Sequence, residues 1–493
     1  MDQIKDFLRS FYQNYAVYHS KYINNLQDDE IKKIHNIHNI HNTHTNESID
    51  VESPEYLSIP NIYHILAMFY HVTQNAQLAK KYFQLAIDNG NIDATFYFAH
   101  YMNNEKNYEL AVKYYLISIN NGNTFAMHNL GAYYENVEKN YELAIKYYLL
   151  AIDKGNDYSM CNLGRHYMYI EKNYELGKKY YLSAIDKNNS TAMNNLGFYY
   201  ANIEKNYDLA IKYYMLAIDR DNDNAMNNLG CYYSSIEKNY ELAIKYFSLA
   251  IDKGNIFAMH NLGKHYANTV KNYDLAVKYY LLAADKGYDI AMYDLGNYYA
   301  TTGKNYELAV KYYLLAIDKG NATAMNALGT FYANIGKNNE LTVKYYLMAI
   351  DKGNNTAMCN LGDYYMIIEK NNDLAVKYFL LAIENGNNMA IHSLINYYAT
   401  VEQNFELASK YLLIAAKNGN HDLINDIVYY YTNISVNLFL AKKYYLLAIQ
   451  CGNYDLNPDI QLDFDDKRAI IGNNHMHHFA LKYYNLDDNI IAY

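Results

Sequence analysis

The chain has 493 residues, a formal charge of −10 and a 51% hydrophobic composition, enough apolar material for extensive burial. Its charges are interspersed and form no basic stripe, which argues against nucleic acid as the main partner. The four cysteines make no C-x-x-C pair and read as reduced thiols of a cytoplasmic protein. Met1-Asp2-Gln3-Ile4-Lys5-Asp6 carries no secretory signal pattern, and no uncharged apolar run reaches membrane-span length. The 62 tyrosines against no tryptophan suit a thin structure in which a ring is buried while its hydroxyl meets water. Richness in Asn, Ile, Lys and Tyr also fits AT-biased coding.

Residues 1–34 read as a helical segment, with Ile4, Phe7, Leu8, Phe11, Tyr15 and Tyr18 on one side. Residues 35–60 are polar and low in complexity, and read as a linker. Within it, His35, His38, His41 and His44 recur every three residues and could align four imidazoles for zinc or nickel. No cysteine or close carboxylate pair completes such a site, so the linker reading is preferred and neither metal nor cofactor is expected.

From residue 61 to 453 a 33-residue unit repeats. Leu130-Gly131, Leu163-Gly164, Leu196-Gly197, Leu229-Gly230, Leu262-Gly263, Leu295-Gly296, Leu328-Gly329 and Leu361-Gly362 keep that spacing. Such a period marks a solenoid, in which each unit buries its apolar face against its neighbours. In the unit Gly131–Leu163, Asn140 is an N-cap and Glu142 favours the first turn. Leu143, Ala144, Tyr147, Tyr148 and Ala151 then form a helical apolar face. Gly155 supplies a left-handed stop, and Asn156 caps the next helix, which carries Met160, Leu163, Gly164 and Tyr167 inward.

The stop position recurs as Gly90, Gly122, Gly155, Asn188, Asp221, Gly254, Gly287, Gly320, Gly353, Gly386, Gly419 and Gly452. Its two exceptions are Asn and Asp, the side chains that best tolerate positive φ. The units near Leu66-Ala67 and Ile427-Val428 are degenerate, as capping repeats are. Pro54, Pro60 and Pro458 all lie outside the array. Residues 454–493 hold an acidic stretch (Asp459, Asp463, Asp465, Asp466) and a closing helix around His478 to Tyr484. The fold expected is all-α: a right-handed superhelical solenoid of about twelve antiparallel helix pairs.

Leu-Gly-x-Tyr-Tyr followed by Ala144, Tyr148 and Ala151 resembles the tetratricopeptide repeat. Ala151-Ile152-Asp153-Lys154-Gly155, with Ser159, Ala192 or Ala225 four residues before the anchor Leu, is similar to the Sel-1-like variant. The turn between helices is about three residues shorter than the usual Sel-1-like loop and lacks its Gly-x-Gly. In composition the chain also resembles repeat proteins of giant DNA viruses. The resemblance implies a scaffold or adaptor of the kind used in quality control or complex assembly.

No phosphate loop or nucleophile–base arrangement is present, and paired carboxylates such as Glu138 and Glu142 fall on solvated turns, so no catalysis and no small-molecule substrate are expected. Tyr147-Tyr148 and Tyr312-Tyr313 could form an aromatic ladder for peptides or bases. Packing is preferred, with one ring in the core and the other in the adjoining groove.

The functional signal is what fails to repeat. After the anchor glycine stand Ala132, Arg165, Phe198, Cys231, Lys264, Asn297, Thr330 and Asp363. One turn earlier, His128, Cys161, Asn194, Asn227, His260, Tyr293, Asn326 and Cys359 also vary. By the family pattern the first column faces a concave groove, and His128, His260 and Tyr293 of the second are expected to bind a partner there with it. Drift at exposed sites and tuning toward one extended ligand both account for the variation. The functional expectation is a protein or peptide partner held in that groove. An RNA-reading repeat would need more basic residues than Arg165 and Lys264, offset here by Asp363. A purely architectural spacer is the third possibility.

Overall fold

The computed structural model describes residues 61–414 apart from 73, 74, 405, 409, 412 and 413. The expected helix over 1–34, the linker over 35–60, the repeat around Ile427-Val428, the stops Gly419 and Gly452, and the 454–493 segment lie outside the described residues. Every regular element among the described residues is helical: 21 α-helices and six short π-type segments. The chain is an all-α solenoid of consecutive helix pairs, divided into two compact units, Met1–Gly254 and Asn255–Tyr493. Described helices run from Ile62–Val72 to Tyr240–Asp252 in the first unit, and from Ile256–His265 to Met389–Asn396 in the second.

One repeat consists of a first helix, α1 (Thr124–Tyr133), and a second, α2 (Tyr141–Asp153). The next begins with α3 (Asp157–Tyr169) and α4 (Tyr174–Ile185), followed by α5 (Ser190–Tyr199). The stop after α2 is a Schellman turn: Gly155 N–H donates to Ile152 O at 2.8 Å, and Asn156 N–H to Ala151 O at 3.0 Å. Gly155 has φ +85°, and all ten stops within the described residues, Asn188 and Asp221 included, have positive φ. Asn156 closes the turn and caps α3 in one move, its Oδ1 accepting from Ser159 N–H at 2.8 Å. Asn140 caps α2 likewise, accepting from Leu143 N–H at 3.1 Å. Each such cap contributes about 1 kcal/mol.

The turn from first to second helix holds a feature absent from the sequence expectation. α1 widens into a π-type turn, Tyr134–Glu138, and the Tyr134 carbonyl accepts from the N–H groups of both Lys139 and Asn140. Lys139 is left-handed at φ 56°, as are Lys106, Lys172, Lys205, Lys238, Lys271, Lys304, Lys337 and Lys370 at the same place. Each connection is therefore one left-handed residue followed by an Asn cap.

The anchor glycine is explained by the second helix. A Cβ on Gly131 would lie 2.8 Å from Tyr148 Cδ1, and one on Gly296 only 2.5 Å from Tyr313 Cδ1. Tyr148, Leu130 and Ala144 are fully buried together, and Phe247 and Phe379 take the place of Tyr148 in their own repeats. The neighbouring ring behaves differently. Tyr147 stacks on Tyr134 with centroids 5.7 Å apart and planes 7° apart, while Lys146 Nζ stands 5.8 Å above it. Tyr167–Tyr180 and Tyr365–Tyr378 repeat this pairing. The Tyr-Tyr doublets thus divide into a buried core ring and a half-buried stacked ring, an arrangement contributing about 0.5–1.5 kcal/mol per pair beyond area burial.

Candidate partner-binding face

The residue after each anchor glycine lies on the first helix, sixteen positions before the hydroxyl end of the core ring. Three of these side chains reach solvent: Arg165, Phe198 and Lys264. Ala132, Cys231, Asn297, Thr330 and Asp363 are half-buried. Asn297 Oδ1 accepts from the Tyr313 hydroxyl at 2.7 Å, and Thr330 Oγ1 lies 3.0 Å from that of Tyr346. Burial raises the Asp363 carboxyl above the usual carboxylate range, and Cys359 Sγ lies 4.0 Å from it. Part of the column therefore serves the core ring beneath it.

The earlier column has another environment. Cys161, Asn194, Asn227, His260 and Cys359 are buried, and His128, Tyr293 and Asn326 are half-buried. This seam between repeats is stitched by polar contacts 34 positions apart: Asn228 Nδ2 donates to Asn194 Oδ1 and Asn360 Nδ2 to Asn326 Oδ1, both at 2.9 Å. His260 Nε2 lies 2.7 Å from Asp294 Oδ2, and Tyr288 packs edge-on against the same imidazole. Tyr293 lies against Tyr313. Four of the five buried members thus meet a residue of the following repeat: Cys161 meets Asn195, Asn194 Asn228, His260 Asp294 and Cys359 Ser393.

One polar cluster gives a candidate face a rigid base, and its key residue was absent from the sequence expectation. Glu135, only 4% exposed, accepts from the Tyr148 hydroxyl at 2.9 Å and from Arg165 at 2.7 Å. The buried His166 lies 3.2 Å from Glu135 through Nδ1 and 3.3 Å from Glu171 through Nε2. Desolvation, then the Glu135 charge, pushes the Tyr148 phenol up. His128, bonded to Ser159 at 2.9 Å, is pushed down to about 4 by burial against the opposing pull of Asp157 and Glu135. The signal was available: the Glu135 position is otherwise Met168, Ala201, Ser234, Ala267, Ala300, Ala333 and Met366.

Among the described residues, no group of three His, Cys, Asp or Glu side chains is placed to hold a metal ion. No described helix is long and apolar enough to cross a membrane.

Residues 68–91, 105–123, 124–156, 157–189, 223–255, 256–288, 289–321, 322–354, 356–387, 388–420 and 432–453 match the Sel1 repeat. Residues 190–224 match the tetratricopeptide repeat. That segment follows the stop Asn188 and contains the stop Asp221. No curated protein sequence matches. Among solved structures, c5321, a protective antigen of uropathogenic Escherichia coli strains displaying an SLR fold, is 24% identical over 79% of this chain and 91% of its own, with a TM-score of 0.42. A Sel1 repeat protein from Oxalobacter formigenes is 26% identical over 45% and 96%, at 0.36. The human IFIT1 dimer with PPP-AAAA is 17% identical over 73% and 95%, at 0.37.

Proposed function

The chain belongs to the Sel1 repeat family, and from that premise we propose that it is a non-enzymatic scaffold holding a peptide or helix of a partner protein against the exposed face of its first helices. Repeats of this kind generally mediate protein–protein interaction. The observation that carries the finer reading is the contrast between a fixed frame and the exposed side chains Arg165, Phe198 and Lys264 at one repeat position.

Against an RNA ligand, the lysines of the Lys146 column from Lys113 to Lys410 each have an acid one turn before them, as in Glu142–Lys146, Asp208–Lys212 and Glu307–Lys311. Such i,i+4 pairing offsets the positive field that a phosphate backbone requires. An architectural spacer would need no exposed aromatic or guanidinium at this position.

The test is affinity purification with the full chain and with a variant carrying Arg165→Ala, Phe198→Asn and Lys264→Ala, quantified by mass spectrometry. Circular dichroism establishes that the variant remains folded. Loss of specific partners from the folded variant supports the scaffold reading. Retention of every partner sinks the first-helix face, and tight binding of a labelled single-stranded RNA by the wild type would move the protein to another class.

A further inference from the structure

Three exposed side chains on α3 share one stripe. Tyr158, Arg165 and Tyr169 stand at positions i, i+7 and i+11, a spacing that returns to the same helical face. Tyr158 is 53% exposed and Tyr169 42%, and the Arg165 side chain 43%. On α5, which touches α3, Phe198 occupies the place of Arg165 and is 41% exposed. In the two following repeats of the first unit these stripe positions hold the polar residues Thr191, Asn202, Asn224 and Ser235, and in the preceding one Phe125, which is half-buried, and Asn136. Exposed aromatics gathered around an arginine have the composition of interface hot spots rather than of ordinary solvated surface.

The arginine is held from below. Glu135 is its one hydrogen-bonding partner among the described residues, at 2.7 Å. Glu135 is itself buried and tied to Tyr148, with His166 on its other oxygen. A guanidinium carries five N–H donors in a planar fork, so Arg165 keeps donors available on a helix face that also carries Tyr158 and Tyr169.

We propose that Tyr158, Arg165, Tyr169 and Phe198 form the principal docking site of the first unit, and that it takes a protein segment presenting a carboxylate beside an aromatic or branched aliphatic side chain. The carboxylate engages the open edge of the guanidinium, a charge-assisted and geometrically selective contact. The apolar side chain covers the rings of Tyr169 and Phe198. This inference rests on the scaffold reading and adds the location and chemistry of the ligand.

The test selects binders of the immobilised full-length protein from a phage library of random dodecapeptides, then measures synthetic copies by fluorescence anisotropy. The expected peptides carry Asp or Glu next to Phe, Tyr, Trp, Leu or Ile. Arg165→Ala and Phe198→Asn should each weaken them by about tenfold or more. Arg165→Lys, which retains the charge opposite Glu135 but not the fork, should also weaken them and guards against a folding artefact. Selected peptides without acidic residues, or peptides indifferent to these changes, overturn the proposal. Peptides that instead lose affinity with Lys264→Ala or Asp363→Ala overturn the location and leave the scaffold reading standing. No enrichment at all overturns both.

Discussion

Replacing Lys139, Lys172 and Lys205 together by glycine should stabilise the protein, although it removes three charges and adds no contact. All three lysines sit at φ 55–56° and are exposed. An L-residue held in the left-handed region costs about 1–2 kcal/mol, which glycine escapes. Glycine returns about 0.5–1 kcal/mol of that through the extra freedom it gives the unfolded chain. The balance is about 0.5–1 kcal/mol per site, and sites a repeat apart with no shared partner should add to about 2 kcal/mol. For a cooperative block of 150–250 residues this raises the thermal midpoint by about 4–8 °C, read by far-ultraviolet circular dichroism. The matching triple change to alanine removes the same charges while keeping the strain, so it should leave the midpoint near wild type. Equal stabilisation by alanine and glycine would show that charge, not backbone conformation, is responsible. No gain from glycine would refute the reasoning outright.

Three further outcomes follow from side-chain environments. Gly177→Ala should destabilise by about 1–3 kcal/mol, because its Cβ would fall 2.7 Å from Met168 Cγ. Adding Met168→Ala should restore most of that loss in urea titrations by recreating the Ala201/Ala210 pairing of the next repeat. His128 binds its proton more weakly folded than unfolded, its folded value being about 4. The unfolded state therefore holds more protons between about pH 6.5 and 4, and stability should fall as pH drops through that window. The contribution of His128 is at most about 1.4 kcal/mol per pH unit, and His128→Gln should flatten the slope in denaturation curves. Glu135→Ala should cost about 1–3 kcal/mol in urea titrations by stranding the Tyr148 hydroxyl and the buried His166.

The legible parts of the fold were those where backbone physics restricts residue type. A left-handed stop accepts Gly, Asn or Asp, so Gly155, Asn188 and Asp221 announced themselves, as did the Asn caps beside them. The anchor glycines were equally plain, because the ring of Tyr148 or Phe247 leaves no room for a Cβ. The left-handed lysines gave no such warning. Lysine carries no preference for positive φ, and only the surrounding turn compels Lys139 to adopt it.

The candidate site was harder to read because its contacts do not run down a column. Comparing repeats at equal positions sets His128, Cys161 and Asn194 side by side, yet each such residue meets a different column of the next repeat. His260 meets Asp294, 34 positions on, where most repeats carry Asn; Asn194 meets Asn228 and Asn326 meets Asn360 at the same offset. These side chains are engaged by the adjoining repeat, whatever the origin of their variation. Removing them from the variable set leaves exposed side chains for which the frame has no use. In the first unit these gather where Glu135 replaces a small or apolar residue and fixes Arg165 between Tyr158 and Tyr169. A buried carboxylate introduced solely for packing would be a costly substitute for Ala201 or Met168. Glu135 offsets that cost inside the fold through the Tyr148 hydroxyl and His166, and its bond to Arg165 is the one that reaches the surface.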